Sequence, residues 1–345
     1  MRRVKLLLPA VLAGLLAAGT SPVPVAASPA AVVAAPGDVR RAAEPQVTSV
    51  LAISVDGLTP RALSRLGRKG TPHLHRLMRQ GASTLNARTE RELTLTLPNH
   101  TGMVTGRRIQ ASRGGHGVTW NDDRMTPPTV QAAAGWPVES VFTTLAAADR
   151  SAAVFASKTK FTLWQRSWPD AIDRMVVREN NPRLVDALVD DLSKPHDLRF
   201  LHLSLPDVVG HAKGWMSPAY LRAVRRADML VGRAVDAATS DPALAATTAV
   251  ILTADHGGAG RTHGAADRLT SYSVPFMVRG PGIPRGADLY ALNPDYRDPG
   301  TRRTTYAAAR QPVRNGMVAN LALDLLGLGP VPDSEHNLAQ DLDVS

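Results

Sequence analysis

Three carboxylates and three histidines in this chain are spaced in a way that would suit a pair of divalent cations. Asp207 and His211 stand four apart in LPDVVGHAKG, Asp255 and His256 are adjacent in LTADHGG, and His263 follows seven residues after His256. Asp56 closes a separate apolar run, Val50 to Val55. Carboxylate oxygen and imidazole nitrogen without sulfur suit zinc, with manganese as second choice, far better than calcium. A lone Asp or His on a loop is ordinarily solvated or satisfies a turn, so the reading rests on the concurrence of several acids with several histidines.

A nucleophile candidate lies in TLTLPNHTGMVTG. Thr96 stands two residues before Pro98, a residue suited to the first turn of a helix, so its hydroxyl is expected at a helix N-terminus. There the helix dipole and free amides favour an anionic phosphoryl group, and a metal would lower the hydroxyl pKa. The competing role for Thr96 is that of an ordinary N-cap.

Such groups need a scaffold that brings them to one edge. Apolar runs rich in β-branched residues recur at Val50 to Val55, Phe200 to Leu205, Ala249 to Ala254 and Val274 to Val278. Between them lie helical patterns, the clearest opening with Ser217 as cap and Pro218 at the first helical position, then repeating Tyr220, Val224, Ala227, Val231, Ala234 and Ala238 on one face. Another runs from about Asn315 to Leu326 and stops at Gly327. Strands alternating with helices predict an α/β three-layer sandwich with a mostly parallel central sheet, whose functional residues gather at the carboxyl ends of the strands. Three of the runs lead to acids, Asp56, Asp207 and Asp255, which should therefore converge. Arg297 to Arg310 reads as a surface loop.

The 345 residues are 44% hydrophobic and 20% charged, a normal globular balance that fits one large catalytic domain. The basic start, the apolar run from Val4 to Ala18 and the small residues Val25 and Ala27 predict a signal peptide over 1–27, followed by a flexible Ala/Pro/Val leader over 28–46 and hence export. The apolar run is short for a membrane span. With no cysteine, disulfide and thiolate chemistry are excluded. The net charge of +10 falls by the three charges of Arg2, Arg3 and Lys5 to +7 in the mature chain. Its arginines are scattered among acids without aromatic interleaving, which argues against specific nucleic-acid binding.

TLPNHTGMVTG, GGHGVTWN, LPDVVGHAKG, ADHGG and the later HGAADR with VPFMVRGPG, taken in order from about Val50 to Leu328, resemble the nucleotide pyrophosphatase/phosphodiesterase (type I phosphodiesterase) branch of the alkaline phosphatase superfamily. The resemblance implies an alkaline phosphatase-like core over 47–330 with a C-terminal tail over 331–345. It implies one zinc on Asp207, His211 and His263, a second on Asp56, Thr96, Asp255 and His256, and a phosphoryl-binding role for Asn121. The family usually carries a long insertion before its last metal-binding histidine, whereas only six residues separate His256 from His263 here. His263 is preferred over its rival, His336 in the polar tail. By motif position His100 and His116 buttress the site, and His73, His75 and His196 are surface residues.

The implied activity is hydrolysis of a small phosphate ester, a phosphodiester or nucleotide pyrophosphate, through a phosphothreonine intermediate. A phosphomonoesterase or phosphonate hydrolase on the same scaffold is the enzyme alternative, and a noncatalytic metal-dependent envelope binding protein the alternative from another class. A sulfatase is disfavoured because neither a Cys nor a Ser motif stands where formylglycine would form. In nucleotide-cleaving relatives the base is clamped by aromatics at positions that correspond here to Leu97 and His202, so the stacking platform should be weakened and Leu97→Phe should improve nucleotide esters, unless Trp120 supplies the platform. The neutral Asn121, where monoesterases place a cation, predicts a preference for diesters over monoesters.

Overall fold

The computed structural model describes residues 47–344. The expected signal peptide and leader lie outside them. The strands are β1 Ser49–Val55, β2 Ala82–Arg88, β3 Ala152–Ala156, β4 Arg174–Val177, β5 Leu198–Leu203, β6 Thr248–Thr253, β7 Ser273–Arg279 and β8 Ala287–Asp288. They form one sheet in the order β4-β3-β5-β1-β6-β7-β2-β8. β1 runs parallel to both β5 and β6, and β3 parallel to β4 and β5, while β7 is antiparallel to β6 and β2. The mostly parallel sheet is thus as expected, with VPFMVRG supplying its antiparallel strand.

Parallel strands need crossovers, and here helices cover both faces. Pro60–Gly70, Pro72–Gln80, Asn181–Asp191 and Pro218–Ala238 pack together on one side, and Thr96–Thr105, Val141–Ala147 and Val318–Leu325 on the other. Every residue of β3, β5 and β6 is buried, which is why β6 reads as a nearly continuous apolar run, while β5 also buries Arg199 and His202. In the helix Pro218–Ala238, the Ser217 side chain accepts from the Tyr220 amide, and Tyr220, Val224, Ala227, Val231, Ala234 and Ala238 are all buried. Burying each of its valines stabilises the fold by roughly 1.5–3 kcal/mol.

One boundary differs in a way that matters for the site. The run expected to continue to Leu205 ends at Leu203, and Ser204 stands just before a helix, Leu205–Lys213, with Pro206 in its first turn. Asp207 and His211 therefore lie one turn apart on a single helix face. Residues 331–344 have neither helix nor strand, yet Val331, Leu342 and Val344 are buried and Asn320 donates to Ser334 Oγ and the His336 carbonyl at 2.8 Å each. They pack as part of the domain.

Candidate active site

The carboxyl ends of β1 and β6 deliver Asp56 and the Asp255–His256 pair, the helix beyond β5 delivers Asp207 and His211, and the loop after β6 delivers His263. Thr96 is the first residue of the helix Thr96–Thr105, all of it buried. Leu95 is the N-cap and makes no side-chain cap bond, so the Thr96 hydroxyl caps nothing. It lies instead 3.4 Å from both His256 Nε2 and Lys158 Nζ.

The three histidines are oriented by backbone. Nδ1 of His256 lies 2.9 Å from the Gly257 carbonyl, Nδ1 of His211 3.0 Å from that of Arg261, and Nδ1 of His263 2.5 Å from that of Thr94. A proton on each Nδ1 leaves each Nε2 with its lone pair, the tautomer a metal ligand needs. Thr94 returns a hydroxyl hydrogen bond to the His263 carbonyl, tying that loop to the segment carrying Thr96.

These atoms form two adjoining groups that meet at His256, whose Nε2 is also 4.0 Å from Asp207 Oδ1. Asp207 Oδ1, His211 Nε2 and His263 Nε2 lie 3.0 to 3.7 Å from one another. Around His256 Nε2 stand Asp255 Oδ2 at 3.1 Å, Thr96 Oγ1 at 3.4 Å and Asp56 Oδ1 at 3.5 Å. Ligands about 2.0–2.1 Å from a tetrahedral ion are about 3.3–3.4 Å apart, a spacing that both groups approach. The rival His336 lies elsewhere, 2.9 Å from Glu90.

Each aspartate divides its two oxygens. Asp255 Oδ1 accepts from the amides of Gly57 and His256, Asp56 Oδ2 from Lys158 and His202, and Asp207 Oδ2 from Lys158. The other oxygens, Asp56 Oδ1, Asp207 Oδ1 and Asp255 Oδ2, are buried without a hydrogen-bond partner. A buried orphan of this kind costs about 1–3 kcal/mol, more for a charged group, and here the orphans are the atoms that face imidazole lone pairs. The donor set fits two divalent cations.

The electrostatics agree. Burial alone would raise the Asp56 carboxyl, but Lys158, His202 and His256 outweigh it and hold it well below the usual carboxylate range. Burial, with the charges of Asp56 and Asp207 added, pushes Asp255 well above it. Burial lowers His256, and it takes His263 down to about 2, so both imidazoles stay neutral and available as ligands.

Several supporting residues escape sequence reasoning. Gly57, at φ +69°, donates to Asp255, and its carbonyl accepts from Trp215 Nε1 at 3.0 Å and from Tyr220 Oη at 2.7 Å. The Trp215 indole packs edge-on against His211 and His263. A Cβ on Gly258 would lie 2.3 Å from that indole. Gly258→Ala is therefore expected to displace Trp215 and weaken metal binding about 10–100-fold while the fold persists, as measured by calorimetric zinc titration. Lys158, just past β3, is the other omission, since no spacing in sequence ties it to an acid.

Asn121 Oδ1 accepts from the Leu97 amide at 2.9 Å and from Lys160 at 3.2 Å, so the residue stands beside the start of the helix that carries Thr96. The expected base-stacking positions do not form a platform. Leu97 and His202 are completely buried, and His202 is pinned between Ser157 and Asp56. Phenylalanine at 97 would overpack the core rather than add a stacking surface, and Trp120 is buried as well. His73, His75 and His196, expected at the surface, are half-buried and outside the site.

His100 bridges the Thr96 carbonyl and Ser54 Oγ at 2.8 Å each. His116 accepts from the Val118 amide, and burial holds it at about 4. The unfolded chain binds this proton near pH 6.5 and the fold does not, so stability falls as pH drops from about 6.5 to 4, by up to about 1.4 kcal/mol per pH unit. Urea unfolding of His116→Gln should show a shallower loss than the parent over that window.

A mostly parallel sheet with covered faces, presenting aspartates and histidines at its carboxyl edge beside a threonine at a helix start, defines a hydrolase of the alkaline phosphatase superfamily. Residues 50–320 match the family described as type I phosphodiesterase / nucleotide pyrophosphatase, and the chain belongs to that family. Murine ectonucleotide pyrophosphatase/phosphodiesterase 5 is a structural neighbour with TM-score 0.62 and 15% identity, covering 86% of this chain and 99% of that one. Its inactive threonine-to-alanine form in complex with AMP gives 0.61 at the same identity and coverage. A 2-O GAG sulfatase gives 0.57 and 15%, covering 86% of this chain and 74% of that one. No curated protein sequence matches.

Proposed function

We propose that this is an exported phosphodiesterase that holds two zinc ions and attacks phosphorus through Thr96. The observation that carries the reading is the set of three buried carboxylate oxygens without partners, each aimed with an imidazole Nε2 at one of two points, with the Thr96 hydroxyl beside the second. Asp207, His211 and His263 would hold one ion, and Asp56, Thr96, Asp255 and His256 the other. Bound there, divalent ions lower the pKa of a hydroxyl and neutralise charge on a phosphoryl group.

The protein's own contribution follows from its geometry. Thr96 Oγ1 forms the new bond to phosphorus, the ester bond opposite it breaks, and water later cleaves the phosphothreonine. The helix N-terminus beneath Thr96 and the Asn121 amide favour the phosphoryl oxygens. Small nucleotide esters are within the expected range, in keeping with the AMP complex of the murine neighbour. Export is supported by the signal-like residues 1–27 and is checked by finding a mature N-terminus near Ser28. Among the described residues no helix is long and apolar enough to cross a membrane.

The direct test is turnover of bis(4-nitrophenyl) phosphate together with metal content. The parent should hydrolyse the diester with two ions per chain, and His263→Ala should retain about one. His336→Ala should retain both, and the reverse ranking would reassign the last ligand.

A further inference from the structure

The loop over residues 297–310 is held from inside by side chains that take up its carbonyls one after another. Buried Arg88 donates to those of Gly300 at 2.6 Å and Arg302 at 3.3 Å, buried Tyr272 to that of Thr301 at 2.9 Å, and buried Arg314 to that of Thr304 at 3.0 Å. The segment leading to the nucleophile is tied to the same loop. Tyr306 Oη accepts from the Arg91 amide at 2.8 Å, and the Arg303 guanidinium donates to the Arg91 carbonyl. Arg91 and Arg303 are thereby kept as neighbours on a fixed frame. Both line one groove of about 740 Å³, whose walls also include Glu92, Leu93, Ser112 and Thr119. Leu93 stands three residues before Thr96, so the groove wall begins no more than about 10 Å of backbone from the nucleophile.

The charge in this groove is unbalanced. Glu92 is its only acid, and both oxygens of that carboxylate are engaged, Oε1 by Arg108 at 3.0 Å and Oε2 by the Tyr306 hydroxyl at 2.6 Å. Among the described residues neither Arg91 nor Arg303 meets a carboxylate, and the Nε of each is buried without a hydrogen-bond partner. Cationic groups in that state call for an anion. Two guanidiniums in one groove suit a phosphate group, whose oxygens accept the paired N–H donors of each fork. The exposed hydroxyls of Ser112 and Thr119 add donors on the walls. We propose that Arg91 and Arg303 form a second site for a phosphate group, apart from the reacting centre. That group is either free phosphate or another phosphate carried by the substrate beside the scissile ester, and only the latter case rests on the phosphodiesterase reading.

Calorimetry with inorganic phosphate on the zinc-loaded protein reads the site without turnover. Arg91→Met and Arg303→Met should each weaken one phosphate-binding event at least about tenfold. Arg302→Met removes the same charge from the same loop outside the groove and should leave that event in place. The loop is held by Arg88, Tyr272 and Arg314, so these variants keep the fold. The source of the phosphate is read from kcat/KM for thymidine 5′-(4-nitrophenyl phosphate) with and without a 3′-phosphate. A substrate-borne phosphate predicts that the parent favours the 3′-phosphorylated ester at least about tenfold and that Arg303→Met loses the preference. Free phosphate predicts no such preference together with the same calorimetric loss. Phosphate binding in Arg91→Met and Arg303→Met identical to the parent, or an equal loss in Arg302→Met, would overturn the proposal. Failure of the parent to cleave either ester would instead overturn the phosphodiesterase reading, with the calorimetric result still deciding this site.

Discussion

Thr96→Ala is expected to lower turnover of a phosphodiester by at least about 10,000-fold, with secondary structure and most of the metal content retained. The fold should survive because the helix Thr96–Thr105 does not draw its cap from this side chain; Leu95 occupies that position. Metal binding should largely survive because the substitution removes one oxygen while three carboxylates and three imidazoles remain. Catalysis should not survive, since no other hydroxyl or carboxylate has been placed to make the bond to phosphorus. Single-turnover kinetics with circular dichroism and metal analysis separate these effects. Attack through Thr96 also entails two inversions, so a chiral phosphorothioate should give net retention. Inversion, or a Thr96→Ala enzyme at full speed, would mean direct attack by water.

Removal of metal should abolish activity, and about two equivalents of zinc should restore it. The physical ground is the uncompensated cost in the protein alone, three orphaned carboxylate oxygens together with the Nε2 lone pairs of His211 and His263 facing each other at 3.0 Å. Cations relieve both at once. By linkage, an ion at a thousand times its Kd adds about 4 kcal/mol of stability per site, so calorimetric scans should show a marked rise in Tm with zinc. A stripped enzyme with undiminished turnover, or zinc without effect on Tm, would refute the two-ion site.

The parts of this picture visible in sequence are those in which one residue's neighbours along the chain are also its neighbours in space. The closing of β1 by Asp56, the four-residue spacing of Asp207 and His211 and the adjacency of Asp255 and His256 are local. β3 escaped notice because AAVFA is short and mostly alanine, without the β-branched run that marked β6, although every residue of it is buried. β2, ASTLNAR, is half-buried and polar, and β4 is a short edge strand. With β3 unseen, Lys158 had no reason to stand near Asp56. Trp215 likewise gains its role only when the helix Leu205–Lys213 and the Gly257–Gly258 turn meet around it. Leu97 and His202 stand where the resemblance implied a base-stacking platform, but their complete burial depends on packing that no motif encodes.

The position of β1 in the middle of the sheet also orders the events of maturation. Val50 pairs with Leu198 on one side and with Ala249 on the other, so the strand carrying Asp56 waits for partners from far along the chain. Closing loops of that length is slow and comes before any reward in contacts. Until it happens, an ion meets only isolated pairs such as Asp207 with His211, too few donors to retain it. The sheet is therefore expected to close first and the ions to be captured last, so that metal would lock a finished topology, an order that refolding followed with and without zinc checks by equal rates of sheet formation.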